Sequence, residues 1–327
     1  MSCSSTTGTT SGTSIPASSR RPSSLLLAAG LAAMLLVWCF NYTAGKIALR
    51  HMDPLSLASI RIELAAVLML GVYFSRRDRR PFHPRDFWTF TYLGFLGVVL
   101  NQGFYTVGLG YTTSERSVLV VALAPILVLL FARAMKLEAF TPAKIAGMAI
   151  AFLGVMLLET ESGSLGHTPL VVGDVITFIG VAGFAVYSVL GKKVLARSAY
   201  DAVSFNTFSL VAAAVMLLPI AVRQGIALDW KTVGWAGWAG LGYMTVFSSV
   251  LVYTLFYWLL RHMEASRVAA VNYLQPFIVI LLSMALLGEH PTGHLLSGGA
   301  LVLVGVYLAE RVSQGAARMK KEGGPEV

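Results

Sequence analysis

Apolar residues run through this chain in blocks of about 20, the length a helix needs to cross a hydrocarbon core of roughly 30 Å at about 1.5 Å per residue. Short polar segments separate the blocks and predict helical spans at 24–44, 54–75, 88–108, 115–134, 141–159, 172–192, 202–222, 236–258, 266–287 and 292–309. Ahead of the first block, residues 1–23 read as a disordered polar tail. Residues 1–19 are uncharged and rich in Ser, Thr and Gly, and they bury too little apolar surface to fold alone. Arg20-Arg21 before the run from Leu25 has the outline of an export signal, but the run continues through Trp38 and Phe40 without an Ala-x-Ala site, so it reads as an uncleaved first span.

Composition supports lipid as the solvent. The chain is 56% apolar and 13% charged, with a mean hydropathy of +0.71, where soluble domains carry roughly 25% charged residues. The net charge of +9 lies in the connecting segments, which argues for loop placement and against nucleic acid as a partner. Of the 25 Lys and Arg residues, 19 fall in alternate segments beginning with Arg20 and Arg21. Lys46, Arg50, Arg116, Arg223 and Lys231 fall in the others, and Arg61 lies within a span. The positive-inside rule then gives ten spans with both termini cytoplasmic in a cell membrane. Cys3 and Cys39 lie in the tail and the first span, so no disulfide is expected between them.

The chain also repeats itself. At an offset of 151, Pro125 falls on Pro276, Glu138 on Glu289, Thr141 on Thr292, Gly147 on Gly298 and Gly154 on Gly305; at 146, Gly45-Lys46 falls on Gly191-Lys192. Each repeat holds five spans, an odd number, so the halves must be inverted. The expectation is an all-α polytopic membrane protein of ten transmembrane helices in two inverted five-helix repeats, residues 24–159 and 172–311. Residues 160–171 form an extracytoplasmic link and 312–327 a basic cytoplasmic tail.

These residues, with Trp38 to Lys46 in span 1, Arg61 in span 2 and the Pro-to-Glu spacing of Pro125–Glu138 and Pro276–Glu289, make the chain resemble the drug/metabolite transporter superfamily, in its ten-span branch with two EamA domains. The resemblance covers about residues 24–311. It implies transport, often export, of amino acids or other small metabolites without a nucleotide-binding domain. Two positions depart from the family pattern: Cys39 stands where Gly usually follows the Trp, and Lys136-Leu137-Glu138 replaces Leu-Gly-Glu.

Candidate cavity residues follow from polarity inside spans. Arg61 lies about 10 Å in from the outer end of span 2, and an ionisable group there costs roughly 2.5–3.5 kcal/mol on insertion scales. It serves either gating or a substrate carboxylate, or else it pairs with helix-end carbonyls, Asp53 or Glu115. Glu63 is about 200° round the helix from it. Trp38, Asn41 and Tyr42 share a stripe of span 1, and Asn101, Gln102, Tyr105 and Thr106 cluster in span 3. The second half offers Tyr187, Tyr253, Tyr257, Asn272, Tyr273 and Gln275. Interhelical hydrogen bonding and interfacial anchoring are the structural alternatives.

Pro125 and Pro276 predict kinks in spans 4 and 9. Glu138 and Glu289 read as interfacial, and Gly234, Gly237, Gly240 and Gly242 as a close helix contact. His290 and His294 have metal-pair spacing, but Pro291 stands between them and no third ligand is evident. No metal or cofactor is expected. The chain has no Walker A sequence, His-Glu-x-x-His or Gly-x-Ser-x-Gly, and no nucleophile and base inside the spans, so an enzyme is not expected. The leading reading is a secondary carrier for a small molecule working by alternating access; the alternatives are a passive channel and a membrane-embedded enzyme.

Overall fold

The computed structural model describes residues 22–135, 168–197 and 200–263 without interruption, and some of the positions within 146–157 and 268–308. Most of span 5, Glu138, Tyr273, Glu289, His290, His294, the link at 160–167 and both terminal tails lie outside the described residues.

Every regular element among the described residues is helical. Helix α1 covers Ser24–Leu49, α2 Pro54–Ser75, α3 Pro84–Tyr111, α4 Ser114–Val121, α5 Ala124–Ala134, α6 Thr168–Arg197, α7 Ala202–Ala227, α8 Gly234–His262, α9 Gln275–Leu287 and α10 Leu296–Gly305. Of these, α1, α2, α3, α6, α7 and α8 are each long and apolar enough to cross a membrane.

Local chemistry sets the helix starts. Asp53 caps α2 by accepting from the Leu55 and Ser56 amides at 3.1 and 2.9 Å, with Pro54 in the first turn. Asp201 caps α7 through the Ser204 amide, 3.1 Å away. Helix α1 runs past the expected end at 44 to Leu49 because Lys46 donates to the Thr112 carbonyl, so its charge does not stop the helix.

The fourth apolar run is not one kinked helix. It stops at Val121, turns at Ala122-Leu123 and restarts at Ala124. Pro125 therefore sits in a first turn, where its missing amide removes no helical bond, and Pro276 occupies the same position in α9.

Both α3 and α8 widen into π-turns, at Phe95–Phe104 and Met244–Val252. In α8 the altered ladder leaves carbonyls for Asn206 of α7, whose amide donates to the Ser249 and Val250 oxygens at 3.1 and 3.4 Å.

The N-terminal helices pack against the C-terminal ones: α2 along α7, α3 along α6 and α1 along α8. Ala65, Ala66, Ala213 and Ala214 let α2 and α7 approach closely beside Ile62, Met69 and Leu210. Outward faces are apolar, as at Val67, Val215, Ile226 and Leu281, whereas Asn41, Arg61, Gln102, Asn206 and Asn272 are buried. This inside-out distribution is that of a chain solvated by lipid.

Candidate substrate cavity

Two π-turns and a helix break converge on one polar space. The wider turns bring the adjacent pair Asn101-Gln102 into contact with the centre and place Ser248 and Ser249 there as well; the α4–α5 break contributes Val121 and Ala124. The resulting cavity measures about 70 Å³. Trp38, Asn41, Tyr42, Arg61, Asn101, Gln102, Tyr105, Tyr253, Asn272 and Gln275 line it together with Val181, Phe184 and Ser248.

Arg61 is the one ionisable group of the Lys, Arg, Asp or Glu type in this lining, and it is 1% exposed. Its Nε donates to Ser249 Oγ at 3.0 Å, Nη1 to Thr106 Oγ1 at 3.1 Å, and Nη2 to Gln102 Oε1 at 3.3 Å and Ser248 Oγ at 3.4 Å. All four partners are neutral, and no described carboxylate pairs with it.

The fixed acids considered as partners are engaged elsewhere. Asp53 caps α2, and Glu115 accepts from the Ser283 hydroxyl at 2.8 Å. Glu63, on the opposite side of α2, does not line the cavity.

Amide and phenol pairs extend the network. Asn101 Nδ2 donates to the Tyr253 hydroxyl at 2.5 Å, Asn41 Nδ2 to the Tyr105 hydroxyl at 3.3 Å, and the Tyr42 hydroxyl to Gln275 Oε1 at 3.4 Å. Gln275 Nε2 in turn donates to Asn272 Oδ1 at 2.8 Å. Two buried polar atoms of the cavity lining have no partner: Asn41 Oδ1, an acceptor, and Gln102 Nε2, a donor. A buried polar atom without a bond costs about 1–3 kcal/mol, so both are open positions for a ligand. Trp38 forms the aromatic wall, its ring 6.1–6.3 Å from Tyr253 and Phe184 in edge-on contacts.

Two residues expected here stand apart. Tyr187 and Tyr257 are fully buried, with ring centroids 6.0 Å apart, and Tyr257 packs 4.8 Å from Phe205. Their hydroxyls have no partner. Conversely, Phe184 and the Ser248-Ser249 pair were not read from sequence. Adjacent serines inside the α8 run were the available signal, but serines in spans also serve helix packing.

Polar clusters flank the cavity at both ends. Toward the Leu49 end, Asp174 accepts from Arg116 Nε at 2.8 Å and from the Thr112 hydroxyl at 2.6 Å. Toward the Ser24 end, Arg76 pairs with Asp201 and, at 2.8 Å, with Asp78. Tyr200 there donates to Asp86 at 2.7 Å and accepts from the His83 amide at 3.1 Å. No described group of three or more His, Cys, Asp or Glu residues is placed to hold a metal.

The profile of the EamA-like transporter family matches residues 24–160 and 171–311. An uncharacterized transporter of Archaeoglobus fulgidus is 29% identical over 284 residues, covering 85% of this chain and 95% of that one. A Salmonella typhimurium protein named as a probable amino-acid metabolite efflux pump is 28% identical, covering 84% and 91%. The uncharacterized inner membrane transporter YedA of Escherichia coli is 25% identical, covering 81% and 84%. A crystal structure of a protein 18% identical to this chain superposes with a TM-score of 0.62 over 89% of this chain and 99% of the other, a shared fold. With both halves matched and the polar cavity enclosed by lipid-facing helices, the chain belongs to the EamA-like transporter family of multi-pass membrane transporters.

Proposed function

We propose that the protein is a secondary carrier that exports a small carboxylate-bearing metabolite of the amino-acid type by alternating access. The observation that carries this reading is the Arg61 guanidinium, a buried cation whose hydrogen-bond partners are all neutral. A mobile anion, the substrate carboxylate, is the natural partner for a fixed charge in such a place. Gln102 Nε2 adds a second donor, and Asn41 Oδ1 offers an acceptor for an ammonium or hydroxyl group. Donors and an acceptor in one cavity match the two ends of an amino acid, and the name of the Salmonella relative is of the same class.

The architecture proposed for this carrier is ten spans in two inverted halves with cytoplasmic termini. Three kinds of landmark support it. The π-turns begin at Phe95 and Met244, an offset of 149, between the 146 of the Gly-Lys pairs and the 151 of the prolines. Both prolines open a helix, and discontinuous helices at the binding level recur in inverted-repeat carriers. In alternating access one flanking cluster parts for entry and the other for release. A passive channel needs a continuous path instead.

The test is release of labelled amino acids, nucleosides, sugars and small amines from proteoliposomes, with and without a proton gradient. Saturable release of amino acids, competed by other amino acids and lost in Arg61→Ala, is expected. Selectivity for cationic or uncharged solutes would refute the carboxylate reading, and flux that does not saturate would indicate a channel.

A further inference from the structure

The loop from Arg76 to His83 and the first turns of α3 lean on the last turns of α6, and between them lies a second cavity of about 640 Å³. We propose that it binds the phosphate headgroup of an anionic membrane phospholipid. The chemistry recognised is an anionic phosphate ester, and the arrangement of the walls favours a lipid over a soluble phosphate.

The polar side carries Arg80, His83 and Lys193. The Arg80 and Lys193 side chains make no hydrogen bond or ion pair with any described residue. The carboxylate in the lining, Asp86, accepts from the Tyr200 hydroxyl at 2.7 Å. Burial, with Asp86 adding to it, pushes the Tyr200 hydroxyl up to about 12, so it keeps the proton it donates. Two open cations thus face one carboxylate that already holds a donor, and the lining remains net positive.

The other side is apolar. Tyr92 belongs to α3, and Leu190 and Val194 to α6, both helices long and apolar enough to cross a membrane. Immediately outside, Phe87 and Trp88 are 54% and 74% exposed, the placing of aromatic anchors at headgroup level. Cations above an apolar wall match a phosphodiester continued by acyl chains. A free phosphate uses only the first, and the volume lies within the roughly 300–1,000 Å³ of sites for larger ligands.

A lipid held here joins the Arg80–Asp86 segment to α6, reinforcing the contact that Tyr200 already makes with His83 and Asp86. Binding requires only that this end lie at the membrane surface and does not depend on the carrier mechanism, so transport assays and lipid-binding assays fail independently.

The experiment uses the full chain in a nonionic detergent, read by native mass spectrometry and thermal unfolding against phosphatidylglycerol, phosphatidylcholine and inorganic phosphate. Phosphatidylglycerol is expected to be retained and to raise the unfolding temperature, with the other two doing neither. Arg80→Gln/Lys193→Gln is expected to weaken retention roughly thirtyfold, from the loss of two basic residues near a membrane surface. Arg85→Gln removes the same kind of charge outside the lining and is expected to bind normally. The single variants are read alongside, so a misfolded double variant does not end the test. Unchanged retention in the Arg80 and Lys193 variants, or equal retention of both lipids, overturns the site; protection by phosphate alone reassigns it to a soluble ligand and overturns the lipid.

Discussion

Arg61 of α2 donates to Ser249 of α8 across 188 positions of sequence, at 3.0 Å. The bond ties a helix of the N-terminal portion to one of the C-terminal portion at the cavity wall, so relative movement of the two portions must exchange or break it.

Replacing Arg61 by Ala is expected to lower saturable transport at least tenfold, since hydrogen bonds to a charged group contribute about 1.5–3 kcal/mol. The folded protein should survive, because Thr106 Oγ1 also donates to the Gln102 carbonyl at 2.7 Å and Ser249 Oγ to Gln102 Oε1 at 2.7 Å. Initial rates in proteoliposomes and size-exclusion profiles check the two halves of this prediction. Loss of folded protein would assign Arg61 a structural role instead.

Arg116→Ala leaves the Asp174 carboxylate, in a residue 5% exposed, with the Thr112 hydroxyl as its remaining partner. An uncompensated buried charge costs about 3–5 kcal/mol. Thermal unfolding in detergent should show a large drop for Arg116→Ala.

Two of the four glycines at the start of α8 contrast. A methyl group on Gly240 would stand 2.6 Å from the Ala44 carbonyl of α1, which is backbone and cannot swing away, whereas one on Gly242 meets nothing within 4 Å. Gly240→Ala is expected to destabilise by about 1–3 kcal/mol and Gly242→Ala to be neutral. A melting comparison of the two variants decides it.

Tyr257 carries a buried hydroxyl with no partner, so Tyr257→Phe should leave stability the same or slightly higher and transport unchanged. Tyr253→Phe removes the acceptor for Asn101 in the cavity and should raise the KM for substrate. Equal transport effects of the two changes would contradict the division between cavity and aromatic cluster.

At the Ser24 end, Asp78 lies below its ordinary value of 3.8 because Arg76 hydrogen-bonds it. Burial pushes Asp201 up, but hydrogen bonds from Ser204 and Arg76 outweigh it and leave it below 3.8 as well. The folded state therefore holds these protons less tightly than the unfolded chain does. Their stabilisation is complete above the ordinary carboxylate value and fades as pH falls below about 4. Arg76→Gln should flatten that part of a melting-temperature profile against pH.

Much of this protein is written in runs and punctuation. The α2 boundaries at Pro54 and Ser75 coincide with the apolar run because Asp53 and Pro54 encode the start locally. A membrane solvent follows from 56% apolar residues, and the depth of Arg61 in its span follows from counting. The side on which a residue lies is also local, since a helix turns by a fixed angle per residue.

What faces that side is not local. Arg61 finds its partners 41, 45, 187 and 188 residues away, and no spacing rule links those positions before the helices pack. Tyr253 and Tyr257 lie one turn apart with the same amphipathic character, yet one lines the cavity and the other joins Phe205, because the neighbouring helix differs over a single turn. The α8 π-turn likewise has a distant partner, Asn206, which satisfies its carbonyls from another helix. Sequence determined which residues enter the membrane and at what depth, through transfer free energy and helical geometry. Only the tertiary structure decided which of them meet, and left the Arg61 cation among neutral partners, because contacts between distant segments are fixed by packing and hydrogen-bond satisfaction across helices.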